Sequence, residues 1–113
     1  MATTTIYSPM INVQTANSGK LNLYANVVNV SSGARSGRIQ IMAAGGMPLA
    51  STNYNNLQPG KGTGDALNHF PTAFPAVTMV YCKFTVNGIS TDIRGSLVLA
   101  DSKGNTLVCV EAR

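Results

Sequence analysis

Apolar and polar side chains alternate along residues 20–30, which have the sequence KLNLYANVVNV. Successive side chains of an extended chain point to opposite faces, so this period of two predicts a strand with one buried and one solvated face. The side chains expected on the buried face are Leu21, Leu23, Ala25 and Val27. A strand of this kind needs a sheet around it, and the flanking residues predict one.

The segment after this strand predicts a turn and two further strands. Residues 31–37, SSGARSG, are rich in the serine and glycine that favour turns, and residues 38–43, RIQIMA, resume the alternation. We expect residues 20–30 and 38–43 to form a hairpin-like pair. Residues 47–52 predict a short strand at a sheet edge, because Pro48 has no amide hydrogen to donate to a ladder.

The alternation disappears over residues 53–75, where polar residues, three glycines and three prolines predominate. This composition predicts the long loop of the domain. Loops of this length are uncommon without a function or hidden structure, so we expect a short strand or a helical turn within it, around residues 65–70.

Two apolar regions follow towards the C-terminus. Residues 76–86, AVTMVYCKFTV, predict a long central strand, and residues 92–100 and 105–110 predict a hairpin. If Ala100 pairs with Thr106, one face of the hairpin holds four apolar side chains. In that register the facing pairs are Leu99 with Leu107 and Leu97 with Cys109.

The composition agrees with a β protein. The chain has 113 residues, of which 44% are hydrophobic and 11% charged, with eleven glycines and no tryptophan. That balance is too apolar for a disordered chain and too rich in Gly, Asn, Ser and Thr for a helical one. We therefore predict a single all-β domain over residues 1–113, an antiparallel immunoglobulin-like β-sandwich of about seven strands.

The charge pattern bears on partners and location. Eight Lys and Arg against four Asp and Glu give a formal net charge of +4, but the cations stand singly except for Arg35 and Arg38. Nucleic-acid binders cluster their cations, so no nucleic-acid partner is expected. We expect neither a membrane span nor an export signal within this sequence, because no apolar run has the required length and no basic segment precedes one. Low charge and many Asn, Ser and Thr residues favour a secreted or periplasmic location for a mature chain.

The two cysteines leave two interpretations open. Cys82 and Cys109 both lie in apolar alternating stretches. In a small extracellular domain an even cysteine count suggests one disulfide, whereas two buried thiols would act as small hydrophobic side chains. Two thiols and one distant histidine are too few ligands for a zinc site, so no metal is expected.

No residue pattern amounts to a catalytic signature. His69 is the only histidine, and no nucleophile or second base stands near it in the sequence. The glycines of residues 60–64, GKGTG, lack the spacing of a phosphate-binding loop and predict a flexible turn. We expect neither an enzyme nor a cofactor.

The candidate contact residues are aromatic and charged. Asp92 and Arg94 are two residues apart, which predicts a shared strand face with an ion pair or a ligand contact. Tyrosine combines an apolar ring with a polar hydroxyl, so exposed tyrosines suit recognition of a protein or glycan. The four tyrosines are Tyr7, Tyr24, Tyr54 and Tyr81.

Four segments together make up most of the chain: TIYSPMINV, LNLYANVVNVSSGARSGRIQI, LQPG and VYCKFTVNGISTDIRGSLVLADSKGNTLVCVEAR. In these segments the chain resembles a group of small, normally exported bacterial proteins of uncharacterised function with adhesion-type, immunoglobulin-like modules. Members of that group often carry a cysteine in the second strand, facing the one in YCKF, but this chain has Tyr24 and Ala25 there. The departure leaves Cys109 as the intramolecular partner for Cys82. The resemblance implies a fold and a compartment, and no catalytic residue.

These observations predict a non-catalytic binding or structural module that works outside the cytoplasm. A small hydrolase that uses His69 is one alternative, and two others remain. One is a self-assembling subunit, a homo-oligomer in which the β-prone residues 3–13 pair with the open edge of a neighbouring copy. The other is a small carbohydrate-binding lectin, based on the tyrosine and asparagine content.

Overall fold

The computed structural model describes residues 3–12, 20–71, 79–101, 103 and 105–113. Within these ranges the chain forms nine β-strands and one short 3-10 turn at Ser90–Asp92. The strands are β1 (Thr4–Tyr7), β2 (Ile11–Asn12), β3 (Lys20–Asn29), β4 (Arg35–Ala43), β5 (Pro48–Leu57), β6 (Gly62–Pro71), β7 (Met79–Val86), β8 (Ile93–Ala100) and β9 (Thr106–Glu111).

The strands form two antiparallel sheets, which confirms the predicted sandwich. Sheet I has the order β1-β7-β4-β5, with β2 also pairing with β7, and sheet II has the order β6-β3-β8-β9. There are nine strands rather than about seven, because the N-terminal segment supplies two short strands and a full strand lies within residues 53–75.

The connectivity corrects the predicted hairpin-like pair of residues 20–30 and 38–43. Strand β3 belongs to sheet II and β4 to sheet I, so the chain crosses the sandwich between them. Asn29 holds this crossing in place: its buried side-chain amide donates to the carbonyls of Gly33 at 2.9 Å and Leu57 at 2.8 Å. A buried amide with these partners is satisfied and stabilises the crossing.

The inner strands have the neighbours found in an immunoglobulin sandwich, whereas the terminal strands lie elsewhere. In that fold, strand B lies between A and E, and strand F lies between C and G. Here β3 pairs with β6, and β4 pairs with β7, as B with E and C with F. However, the N-terminal strands lie beside β7 and the late strand β8 lies beside β3. The first and last parts of the chain therefore exchange sheets.

The core lies between the sheets and follows the alternation seen in the sequence. The inward face predicted for β3 is confirmed, and the alternating apolar side chains of β7 also point inward, since all eight of these side chains are fully buried. Burying a side chain the size of Val or Leu stabilises a fold by about 1.5–3 kcal/mol, so these two strands contribute much of the core. The eight residues are Leu21, Leu23, Ala25, Val27, Val80, Cys82, Phe84 and Val86.

The prediction of a long loop at residues 53–75 is wrong for most of that range. Strand β5 continues to Leu57, the chain turns near Gly60, and β6 runs over Gly62–Pro71, so the strand expected near residues 65–70 is present but longer. Gly60 has φ +78°, a conformation that favours glycine. Residues 72–75 lie outside the described residues. The edge position predicted for the strand containing Pro48 is confirmed.

The predicted hairpin of β8 and β9 is present, with a different register. Ala100 pairs with Thr106 as expected, but an irregularity beyond it pairs Leu99 with Val108 and Leu97 with Val110. The extra residue shifts β9 by one position, which moves alternate side chains to the other face. Leu107 and Cys109 are therefore exposed instead of facing the core.

Candidate functional site

The two sheets differ in charge. The charged residues of the sheet I strands are all cations: Arg35, Arg38 and Lys83. All four acids of the chain lie in sheet II or in turns, at Asp65, Asp92, Asp101 and Glu111. Sheet I therefore presents positive charge with no acid in its own strands.

The strand register brings two of these cations together on the outer face of sheet I. Arg38 in β4 lies opposite Thr85 in β7, and Lys83 lies two residues from Thr85 on the same strand. Arg38 and Lys83 are thus diagonal neighbours, which places such residues about 7 Å apart in an antiparallel sheet. Both side chains reach solvent, because their positions alternate with fully buried ones.

Amide and hydroxyl groups surround the two cations. Gln40 lies opposite Lys83, and Asn53 lies opposite Arg38, accepting a 3.0 Å hydrogen bond from the Arg38 Nε. Together with Gly37 and Thr85, these side chains line a shallow depression of about 330 Å³. We call the surface formed by Arg38, Gln40, Asn53, Lys83, Thr85, Tyr7 and Tyr81 the cationic face.

Tyr7 borders the cationic face next to Lys83. It lies directly opposite Lys83 across the β1–β7 ladder, and 49% of its side chain is exposed. The Tyr81 ring lies 6.3 Å away between centroids and is tilted by 48°. Two of the four predicted tyrosines therefore come together, and Tyr7 offers the more accessible ring.

The same tyrosine connects the cationic face to a groove at the seam of the sandwich. The Tyr7 amide and carbonyl pair with the carbonyl and amide of Arg113, at 3.1 and 2.9 Å, so the chain beyond β9 joins sheet II to sheet I. A groove of about 510 Å³ lies along this seam, with Pro9, Val110 and Glu111 among its lining residues. An extended ligand on the cationic face would reach this groove past Tyr7.

The other two tyrosines are not part of this surface. Tyr24 lies on the outer face of sheet II, opposite Ala66 and Val98. Tyr54 is buried, and its hydroxyl donates a 2.7 Å hydrogen bond to the Thr85 carbonyl. Burial raises the pKa of Tyr54 to about 12. The prediction of Tyr54 as a contact residue is therefore wrong, and its role is to cross-link β5 and β7.

The predicted pair of Asp92 and Arg94 is not formed. Asp92 lies in the 3-10 turn, where the strand period does not apply, and it accepts hydrogen bonds from the Ile89 amide at 3.0 Å and the Arg35 Nε at 2.9 Å. The Ile89 amide first, and then Arg35, lower the pKa of Asp92 below its ordinary value. Arg94 is exposed and donates to the Thr91 and Ile93 carbonyls.

The two cysteines are both free thiols. Cys82 points into the core from β7, whereas Cys109 points to solvent from β9, so the sandwich separates them and the disulfide interpretation is not supported. A disulfide needs facing Cβ atoms, which these opposite orientations do not provide. Burial, and then the charge of Asp65, raise the pKa of Cys82 to about 12. Cys82 is therefore a protonated, inert core thiol.

His69 lies in β6, and its side chain is outside the described part of the structure. Among the described residues, no three His, Cys, Asp or Glu side chains lie close enough together to hold a metal ion.

Sequence reasoning named Tyr7 and Tyr81 but missed Arg38, Gln40, Asn53 and Lys83. The outward positions of Arg38, Gln40 and Lys83 follow from the alternation in β4 and β7, whereas Asn53 lies in the part of β5 that the sequence predicts as a loop. Their meeting depends on β4 lying between β5 and β7, which no local pattern reveals.

Comparison with known protein families, curated proteins and solved structures finds no match to this chain. Across the residues that the structure describes, no helix has the length and apolar character needed to cross a membrane.

Proposed function

We propose that this protein is a non-catalytic binding module that works outside the cytoplasm and binds its ligand on the cationic face. One observation carries the proposal: a sheet face whose strands contain no acid gathers two cations, several amide and hydroxyl groups and an exposed tyrosine. Low overall charge and the resemblance to exported adhesion-type modules support the location.

The surface suits recognition because its side chains stand on paired strands. Arg38 and Lys83 belong to the two inner strands of sheet I, whose opposite faces are packed into the core. The paired strands fix the backbone at these positions before a ligand binds, so only side-chain freedom is lost on binding. The amides and hydroxyls between them provide directional hydrogen bonds that select among ligands.

A glycan and peptide array tests this proposal. The double variant Arg38→Gln, Lys83→Gln is expected to lose the hits of the wild type. The matched control, Arg94→Gln with Lys103→Gln, removes the same charge from exposed positions outside sheet I and is expected to keep them. Hits that survive the first variant, or the absence of any hit, would contradict the proposed binding face.

The non-catalytic part of the proposal has its own test. We expect no turnover on panels of ester, glycoside and phosphate substrates. Turnover that disappears in a His69→Ala variant would instead indicate a hydrolase.

A second candidate function is self-assembly by strand exchange. Strands β1 and β2 close one edge of sheet I, are interrupted at Ser8 to Met10, and bury only Ile6 and Ile11. Exchange of this segment between copies would link sandwiches into a polymer. Light scattering coupled to size exclusion distinguishes the candidates: a concentration-independent monomer favours the binding module. Ordered oligomers that disappear on deletion of residues 1–9 favour assembly.

A further inference from the structure

The structure points to an acidic polysaccharide, a chain of sugar rings bearing carboxylate or sulfate groups, as the ligand of the cationic face. This inference rests on the proposed function and specifies its ligand class.

The charge of the cationic face favours an anionic ligand. Arg38 and Lys83 stand as diagonal neighbours in a sheet whose own strands contain no acid, so nothing within these strands neutralises them. An anionic group placed between them would make charge-assisted hydrogen bonds with both, and such bonds are stronger than neutral ones. A neutral ligand would make no ion pair with either cation.

Neutral polar side chains stand beside the two cations and favour a ligand that also carries hydroxyl groups. Gln40 and Asn53 stand beside the cations, and Thr85 lies opposite Arg38. Amide and hydroxyl groups donate and accept hydrogen bonds, which matches the hydroxyls that a sugar ring carries in all directions. A ligand with scattered charges and many hydroxyls therefore fits this face.

The exposed ring of Tyr7 favours a ligand that contains sugar rings. Tyrosine has an apolar face that packs against the C–H surface of a sugar ring and a hydroxyl that stays in water. Because Tyr7 lies opposite Lys83, one ring stacked on the tyrosine would place an acidic substituent near the lysine.

The same observations disfavour a single-stranded nucleic acid. Proteins that bind single strands track a densely charged backbone with a charged groove and stack successive bases on several aromatic rings. Here there are two neighbouring cations, and Tyr7 and Tyr81 are tilted by 48°, so they do not form parallel platforms. The face is too sparsely charged for a ligand with one phosphate per residue.

Biolayer interferometry with four immobilised probes tests the inference: polygalacturonate, heparin, neutral dextran and single-stranded oligothymidylate. We expect binding to polygalacturonate, to heparin or to both, weakening as salt is raised, and none to dextran. Binding to only one acidic probe would identify the anionic group as carboxylate or sulfate. Each of Arg38→Gln and Lys83→Gln should weaken binding roughly tenfold, the effect of losing one charge-assisted hydrogen bond.

The tyrosine contribution has a matched pair of variants. Tyr7→Leu should weaken binding, Tyr7→Phe should restore most of it, and Tyr24→Leu, on the outer face of sheet II, should leave it unchanged. Equal loss in the Tyr7 and Tyr24 variants would overturn the role of the Tyr7 ring.

The outcomes separate the ligand class from the binding face. Binding to dextran as tight as to the acidic probes, or tighter binding to oligothymidylate than to them, would overturn the acidic polysaccharide as the ligand. If Arg38→Gln still weakens that binding, the cationic face would remain the binding site. If Arg38→Gln and Lys83→Gln both bind an acidic probe as tightly as the wild type, the proposed binding face is overturned as well. Failure to bind either acidic probe, with array hits retained, would overturn only the ligand class.

Discussion

A single hydrogen atom in place of a side chain allows the largest fully buried side chain of the described residues to fit. Gly95 in β8 faces the core, and a Cβ atom built on it would lie 2.7 Å from the ring of Phe84 in the opposite sheet. The aromatic ring thus occupies the space that a side chain at position 95 would need. This contact explains a glycine in the middle of a strand, where glycine is otherwise unfavourable.

Gly95→Ala is therefore expected to lower the free energy of unfolding by about 1–3 kcal/mol, the usual cost of overpacking a core. Gly45→Ala is the matched control, because no atom lies within 4 Å of its added Cβ, and its effect should stay within about 0.5 kcal/mol. Urea unfolding followed by circular dichroism measures both. Equal stability of the two variants would show that the Phe84 ring moves aside at no cost.

Between β1 and β2, Ser8 replaces the missing ladder hydrogen bonds to β7. Its amide donates to the Cys82 carbonyl at 3.0 Å, and its Oγ accepts from the Cys82 amide at 2.8 Å, where the ladder is interrupted before Pro9. Ser8→Ala leaves that buried amide without its acceptor, so we expect a loss of about 1–3 kcal/mol in unfolding free energy. Ser51→Ala, at an exposed position in β5, should change little. A fully stable Ser8→Ala variant would mean that another acceptor or water replaces the hydroxyl.

Strands whose side chains alternate strongly are the elements that the sequence predicts well. The inward faces of β3 and β7 follow from the period of two because both strands lie inside their sheets. By contrast, the asparagine-rich end of β5 and the glycine-rich start of β6 resemble a loop locally. They are strands because each pairs along its length with an inner strand, and β propensity depends on such context.

Register is the second property that local pattern does not determine. Pairing Leu97 with Cys109 would place four apolar side chains on one face of the hairpin, and the observed pairing of Leu97 with Val110 places as many there. The core gains Val108 and Val110 by this shift, and both pack against it. Only the three-dimensional shape of the opposite sheet decides between these registers.

The open edge of β6 carries a charge that points inward. Asp65 lies opposite Ala25, whose side chain is fully buried, so its carboxylate stands at the margin of the core. Inward charges on edge strands discourage pairing with another molecule, since a paired edge would bury the charge. We expect Asp65→Val to raise the mean molar mass in light scattering relative to the wild type at equal concentration.

Asp65→Asn is the control for that experiment, because it keeps the shape and a polar group at the same place. It should self-associate less than Asp65→Val. If Asp65→Val remains as monodisperse as the wild type at every concentration, protection of this edge must come from elsewhere in the chain.

At the scale of the whole molecule, the cationic face arises only from the order of the strands. Arg38 and Lys83 are far apart in the sequence, where their scattering argues against a charged surface. The sandwich places β4 beside β7 and leaves every acid in sheet II or in turns. The candidate site was therefore partly predictable, through Tyr7 and Tyr81, while its charge required the topology.

The whole fold is also expected to lose stability in alkali, because the core buries a thiol and a phenol. Burial, and then the charge of Asp65, raise the pKa of Cys82 from 9.0 to about 12, and burial raises that of Tyr54 from 10.0 to about 12. Between pH 9 and 12 the unfolded chain releases protons that the folded chain keeps. The contribution of these two groups to the free energy of unfolding is therefore complete below pH 9. It decreases as the pH rises above 9, by about 1.4 kcal/mol per pH unit for a single group.

Urea unfolding as a function of pH tests this expectation with two cysteine variants. Cys82→Ala removes the buried thiol, so its stability should fall less steeply above pH 9 than that of the wild type, even though the cavity lowers stability at neutral pH. Cys109→Ala removes the exposed thiol and should keep the wild-type slope. Tyr54→Phe should flatten the dependence only above pH 10, where the unfolded phenol begins to ionise. Parallel profiles for Cys82→Ala and Cys109→Ala would show that the buried thiol does not govern alkaline unfolding.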